Sequence, residues 1–283
     1  KLAKPGARVL QMGAGFIGCI ILEALASKNV KLTVVEMGDR MVPRMMTEVA
    51  GNLIKTWVEE KGIAVHTNTK VESITQSQSG LLVKLSNGET IEVDLVISAT
   101  GVKPNIEFLK NSNLQIQRGI LVNEQMQTSH PDIYAAGDVT ESVDFCTGER
   151  IINAIQPNAA DQASIAACNM AGGHATAVGS LQVNVLDTLG LISSSFGQWS
   201  GIQGGQHVER CNPDQYQYIR LEFDQDRLIG ATSLGMTDHV GAIRGLIQTR
   251  VALGDWKEKL LHDPLRIMDA YLAKAQAQAN WVA

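Results

Sequence analysis

Residues 13–18 read Gly13-Ala14-Gly15-Phe16-Ile17-Gly18, a G-x-G-x-x-G run that few chain geometries accommodate. Ala7 to Met12 before it reads as a strand, and Ile17, Ile21, Ala24 and Leu25 after it recur at helical spacing. In a strand–turn–helix the first glycine permits the tight turn. The second lets a pyrophosphate approach the backbone, and the third lets helix and strand pack closely. The helix start then offers unpaired N–H groups and partial positive charge to phosphates. The next strand, Lys31 to Glu36, ends on a carboxylate 18 residues beyond Gly18. An acid at that place accepts hydrogen bonds from an adenosine ribose 2′-hydroxyl and repels a 2′-phosphate, so the pattern favours NAD over NADP. Arg40 and Arg44 lie just beyond and could work against that preference. The competing reading of the hexapeptide is a plain glycine turn in an unrelated α/β sheet.

The grammar changes twice along the chain. Up to Thr67, strands alternate with helices, with Thr47 as a candidate N-cap for a helix carrying Val49, Leu53 and Trp57; this implies a parallel sheet. Val71 to Thr75, Leu81 to Leu85 and Thr90 to Val93 then read as an antiparallel meander turning at Asn87-Gly88, ahead of an apolar strand at Leu95 to Ala99. A looser stretch, a hairpin around Gly119, a strand at Ile133 to Ala135 and a helix from about Asn158 to Met170 complete the middle. After Gly172-Gly173, strands at Val183 to Leu186, Leu191 to Phe196, Tyr216 to Phe223 and Leu228 to Leu234 precede helices at about Val240 to Leu253 and Leu265 to Ala277, an α+β arrangement.

Composition narrows the partners. The formal net charge of -5 argues against nucleic acid as the main partner. No apolar run reaches the roughly 18 residues that span a bilayer, and no secretory leader is visible. Cys19, Cys146, Cys168 and Cys211 form no Cys-x-x-Cys pair, so no zinc ribbon or local redox disulfide is expected, and no metal site is assigned. Four free, mostly buried thiols in a reducing, cytoplasmic setting are the expectation. The isolated histidines, the methionines Met41, Met45 and Met46, and Trp199, Trp256 and Trp281 read as surface or packing residues, and Lys257-Glu258-Lys259 as a solvated helix face.

Two further segments carry a resemblance. Leu95 to Asn105, with Ala99-Thr100-Gly101 at its centre, and Thr128 to Asp138, of the form T-x5-Y-A-x-G-D, resemble the Ala-Thr-Gly segment and the second flavin motif of the pyridine nucleotide-disulfide oxidoreductase family. With Gly13 to Gly18 and Glu36 they fall in that family's order. The resemblance implies that Asp138, following Gly137, accepts a hydrogen bond from a ribityl hydroxyl of FAD. It implies that Thr100-Gly101 approach the nicotinamide or a hinge, and that a helix opening near Pro157 points its first amides, around Asn158 and Ala159, at the flavin. The implied architecture is an NAD-binding Rossmann-like domain with an antiparallel meander over 1–102, the remainder of a split FAD-binding domain over 103–173, and an α+β interface domain over 174–283 that commonly forms a homodimer.

The chain also departs from the family pattern. No second glycine fingerprint for the ADP half of FAD precedes Gly13, so the sequence resembles a member lacking roughly 130–150 N-terminal residues, a typical domain's length. Ile20 stands where relatives often carry Glu beside the flavin, and the redox cysteine of many members has no counterpart here. The activity expected from the resemblance is hydride transfer from NADH to FAD and on to an unidentified acceptor, a redox protein or a small molecule. No catalytic residue is assigned. The alternative is an NAD-binding or regulatory module without turnover.

Overall fold

The computed structural model describes residues 2–279. Its first sheet grows directly from the alternation of strand and helix. β1 (Arg8–Met12), α1 (Phe16–Ala26), β2 (Lys31–Val35), α2 (Glu48–Glu60) and β3 (Ala64–His66) follow one another. The Thr47 hydroxyl caps α2 by accepting from the Ala50 N–H. The antiparallel meander is β4 (Val71–Gln76), β5 (Leu81–Leu85) and β6 (Thr90–Val93), with Gly88 at positive φ in the turn. β7 (Leu95–Ser98) returns to the first sheet, giving the parallel order β3-β2-β1-β7.

Side-chain alternation along β1 and β2 supplies both faces of this sheet. Val9 and Val34 face α1 and α2, where Leu22, Ile54 and Val58 are buried with Met41, Met45 and Met46. Leu10 and Val35 face the meander and pack on Val83, Leu85 and Val93. Arg8 ties the meander's last strand to β1 through ion pairs with Glu92 at 3.0 Å and Asp94 at 2.6 Å.

Two short strands, β8 (Ile120–Leu121) and β9 (Thr140–Val143), pair in parallel, and β10 (Arg150–Ile151) pairs antiparallel with β9. α3 (Gln156–Met170) follows. The strand expected at Ile133 to Ala135 is reduced to a single bridge between Gln127 and Tyr134, with Thr128 N–H donating to Ile133 O and Ala135 N–H to Met126 O. Its neighbour across that bridge is a tight turn with Met126 at positive φ, which leaves no room for a longer ladder.

The last sheet contains β11 (Val183–Thr188), β12 (Leu191–Gly197), β13 (Gln206–Asn212), β14 (Gln217–Asp224) and β15 (Arg227–Leu234), in the order β11-β12-β15-β14-β13. Three helices complete it: α4 (Val240–Thr249), α5 (Asp255–His262) and α6 (Ile267–Ala279), with α4 packed on β15 and α6.

Packing groups the chain into two units. One comprises residues 1–101, 185–195 and 199–283, the other residues 102–184 and 196–198. Within the first, the C-terminal sheet docks on α2. The Trp57 indole N–H donates to the carbonyls of Thr188 and Leu189 at 3.0 and 3.2 Å, and the Trp57 and Tyr216 rings meet edge-to-face. Leu186, Leu191, Tyr218 and Leu234 share one core with Leu22 and Ile54.

None of the four cysteines is in a disulfide, and only Cys19 is buried; Cys168 and Cys211 are exposed because they lie on the outer face of α3 and on the edge strand β13. Burial pushes the Cys19 thiol up to about 12, so it is inert at neutral pH. Trp281 lies outside the described residues. Among the described residues no helix is long and apolar enough to cross a membrane, and no cluster of His, Cys, Asp and Glu could hold a metal ion.

Candidate functional site

The glycine turn sits at the carboxyl end of β1, the central position of the parallel sheet flanked by β2 and β7. Gly13 has φ +98°, and a Cβ there would lie 2.4 Å from the Ala99 carbonyl oxygen, just past β7. A Cβ on Gly18 would lie 2.3 Å from the Gly13 carbonyl oxygen, so α1 can approach β1 only through glycine. Around Gly15 there is nothing within 4 Å of a built Cβ. The three positions thus divide the labour that the sequence suggests: bend, open approach, close packing.

The first helical bond of α1 runs from Cys19 N–H to Gly15 O. Among the described residues the N–H groups of Gly15, Phe16, Ile17 and Gly18 find no acceptor, and no side chain caps the helix. Four unpaired donors beside open space, at the positive end of a helix, make a cradle for a diphosphate.

Glu36 stands half-buried beside this cradle. Its Oε2 accepts from Ala14 N–H at 2.7 Å and its Oε1 from Gly38 N–H at 2.8 Å. Each oxygen keeps a lone pair for a hydroxyl. The two arginines are not equivalent. Arg40 pairs with Asp39 at 2.7 Å and donates to the carbonyls of Met46 and Pro43, so its fork is engaged. Arg44 is exposed, and its guanidinium is the nearest group, at 3.9 Å, to a Cβ built on Gly101. Thr100 and Gly101 follow β7, with the Thr100 hydroxyl 3.3 Å from that of Ser98.

In the second unit, Gly137 adopts φ +84° and packs against α3: a Cβ there would lie 3.4 Å from the Ala159 Cβ. Its N–H donates to Gln162 Oε1 at 2.8 Å. The single Thr140 hydroxyl proton is shared between Gly137 O at 2.8 Å and Gln162 Oε1 at 2.9 Å, and Gln162 Nε2 donates to Ser142 Oγ at 3.0 Å. Ser142 meets Ser180, and Ser180 donates to Asn158 Oδ1 at 2.6 Å. Asn158 Nδ2 closes the chain on Asn153 O. Every side chain in this network is buried, which makes its saturation energetically important. It fixes the Gly137 turn against the first turns of α3.

Asp138, next to it, is exposed, and its carboxylate accepts no hydrogen bond among the described residues. At the start of α3 the Ala159 N–H is not free, because it makes the first helical bond, to Ile155 O at 3.1 Å. The open amides there are those of Gln156 and Asn158. Sequence reasoning passed over Thr140, Ser142, Gln162 and Ser180, whose polar side chains look like ordinary surface residues until the strand and helix pack.

A family model described as pyridine nucleotide-disulphide oxidoreductase matches residues 1–164, more than half the chain. The chain belongs to this family. Among curated members it is similar to the NADH-dependent phenylglyoxylate dehydrogenase subunit epsilon of Aromatoleum evansii, 29% identical over 90% of this chain and 61% of that protein. It is also similar to an NADH oxidase of Methanocaldococcus jannaschii, 37% identical over 58% of this chain and 37% of the relative, and to the rubredoxin-NAD(+) reductase of Pseudomonas putida, 28% identical over 86% and 62%. The chain therefore spans about three fifths or less of the length of these relatives. Among solved structures, an NAD-dependent persulfide reductase from A. fulgidus superposes with a TM-score of 0.81 at 29% identity, covering 88% of this chain and 50% of that one. A putidaredoxin reductase in covalent complex with putidaredoxin shares the fold at a TM-score of 0.86 over 96% of this chain and 65% of its own. The mixed α/β architecture of this family member, a parallel sheet with separate antiparallel sheets, agrees with the fold class expected from the sequence.

Proposed function

We propose that this chain belongs to an NADH-dependent flavoprotein oxidoreductase and carries its NADH-binding site together with part of its FAD site. The observation that carries the reading is the cradle at Gly15 to Gly18, four unpaired N–H groups beside open space with the Glu36 carboxylate alongside. The donor set fits a dinucleotide: the amides bind the diphosphate and Glu36 holds the adenosine ribose hydroxyls. Thr100 and Gly101 border the nicotinamide end. A 2′-phosphate meets the Glu36 carboxylate instead of a free Arg40, which favours NADH over NADPH.

The residues of the second unit fit the sugar-alcohol stretch of FAD. Asp138 offers an uncommitted carboxylate to a ribityl hydroxyl, on a Gly137 turn held by buried hydrogen bonds. The Gln156 and Asn158 amides of α3 present partial positive charge to an electron-rich ring edge. When bound, FAD supplies the two-electron carrier that takes reducing equivalents from NADH and passes them to an acceptor, either a redox protein or a small molecule. The relatives named for rubredoxin and for phenylglyoxylate dehydrogenase support a redox-protein or multisubunit setting. A homodimer formed through residues 174–283 is part of the same reading, and light scattering tests it.

The test is threefold. NADH is titrated into the chain by fluorescence, FAD is added and its absorbance followed after gel filtration, and NADH oxidation is measured with artificial acceptors. Tight NADH binding, retained flavin bands and turnover support the proposal. Absence of NADH binding overturns it, and NADH binding without flavin or turnover replaces it with a binding module.

A further inference from the structure

Gln11 is a chemical anomaly. It lies in β1, between Val34 of β2 and Ile97 of β7, and is fully buried. Central strands of parallel sheets are apolar on both faces, because both are covered. Here a primary amide replaces a branched aliphatic side chain, and its Oε1 is buried without a hydrogen-bond partner. Such an acceptor costs stability, so the residue is not explained by packing.

Its Nε2 explains it. That nitrogen donates to the carbonyl of Gly13 at 2.9 Å and to the carbonyl of Gly18, also at 2.9 Å. The amide cannot be turned over, since Oε1 would then face two carbonyl oxygens. One side chain therefore joins the first and third glycines of the turn across its inner side. Because the Gly13–Ala14 peptide is planar and trans, fixing its oxygen inward points its N–H the opposite way. That N–H is the one received by Glu36 Oε2 at 2.7 Å. Gln11 and Glu36 thus grip a single peptide plane from opposite sides.

From this geometry we infer that Gln11 is a positioning residue of the dinucleotide site: it holds the glycine turn open for the diphosphate and aligns Glu36 for the ribose, without touching the ligand. The inference rests on the NADH-binding reading above and deepens it. Without Gln11 the Gly13–Ala14 plane is held from the Glu36 side alone and loses its inner anchor, so the diphosphate cradle and the ribose acid loosen together. Both the affinity for NADH and the preference over NADPH depend on it.

The experiment compares the parent chain with Gln11→Met, which fills a similar volume and removes both donations. Melting temperature is measured alongside fluorescence titrations with NADH and NADPH. The expected result is a melting temperature close to the parent's, since the loss of the orphan Oε1 offsets the lost donations to the Gly13 and Gly18 carbonyls, with NADH binding weakened about tenfold (~1.4 kcal/mol) and the NADH-to-NADPH preference reduced. A variant that binds both nucleotides as the parent does overturns the inference. So does a variant that loses affinity and melting temperature together, or fails to fold, because Gln11 then acts through packing alone. A parent chain that does not bind NADH instead overturns the functional reading, and the two failures are separate.

Discussion

Gly15 and Gly18 are three residues apart, yet alanine at each should act on a different property. A Cβ at Gly18 would sit 2.3 Å from the Gly13 carbonyl oxygen, 3.0 Å from its carbon and 3.1 Å from Gln11 Nε2. The shortest ordinary contact is about 3.4 Å, so backbone must move by roughly 1 Å, an overpacking cost of about 1–3 kcal/mol. Alanine's better helix propensity returns at most about 1 kcal/mol. Taking about 2 kcal/mol from the middle of the overpacking range, the net loss is about 1–2 kcal/mol, or a melting temperature lower by roughly 2–8 °C for a unit of this size. At Gly15 the backbone is extended, with φ -77° and ψ -170°, and a Cβ meets nothing. Alanine is a poorer N-cap than glycine by a few tenths to about 1 kcal/mol, and reduced freedom of the unfolded chain offsets about 0.4–1 kcal/mol of that. Stability should therefore hold, while the new methyl occupies the space proposed for the diphosphate and weakens NADH binding at least tenfold. Thermal melts and NADH titrations of the two variants decide the matter. A Gly15→Ala chain that binds NADH as the parent does, or a Gly18→Ala chain that melts with the parent, refutes the division of roles.

Three further outcomes are expected. Glu36→Ala leaves the Ala14 and Gly38 N–H groups without their acceptor, and should weaken NADH binding about tenfold while narrowing the preference over NADPH; equal affinities for both nucleotides in mutant and parent would remove Glu36 from the site. Asp138→Ala should lower the fraction of added FAD retained through gel filtration with no change in melting temperature, since the carboxylate has no internal partner, and unchanged retention would contradict its role. Burial alone would raise the Glu141 carboxyl, but the Arg118 guanidinium with the N–H groups of Gly119 and Arg118 holds it below the usual carboxylate range. Its stabilisation is present above the unfolded value of about 4.3 and is lost as pH falls through the lower folded value. Glu141→Gln should therefore flatten the acid limb of a denaturation series between pH 5 and pH 2, and an unaltered slope would count against the pair.

What the sequence discloses and what it hides follow from the range of the forces involved. The glycine turn, the Thr47 cap and the Asn87-Gly88 hairpin are local devices, each set by the dihedrals or side chains of a few consecutive residues, so they are readable before any tertiary contact exists. β13 is different. Its residues, Gln206-His207-Val208-Glu209-Arg210-Cys211-Asn212, show no apolar alternation and are mostly exposed. They are held as a strand by the ladder of β14, from Gln206 opposite Phe223 to Asn212 opposite Gln217. The segment at Ile133 to Ala135 errs the other way: it has strand-forming residues but only a turn to pair with. At the proposed site, Gly15 and Glu36 are legible by spacing. Gln11 and Gln162 are not, because an amide inside a strand or helix looks like surface until the elements enclosing it are assembled.

The return of the chain at Val185 affects how this protein emerges from the ribosome. Trp57 waits for the carbonyls of Thr188 and Leu189, and the helix face around it waits for Leu191, Tyr218 and Leu234. The four-stranded parallel sheet is complete in outline once Ser98 has been made, yet one of its outer walls, from Val185 onward, is translated later. Until then a nascent chain displays a greasy helix face to the cell. A translation stop or proteolytic nick just before Val185 should yield an aggregating product in place of a smaller working domain.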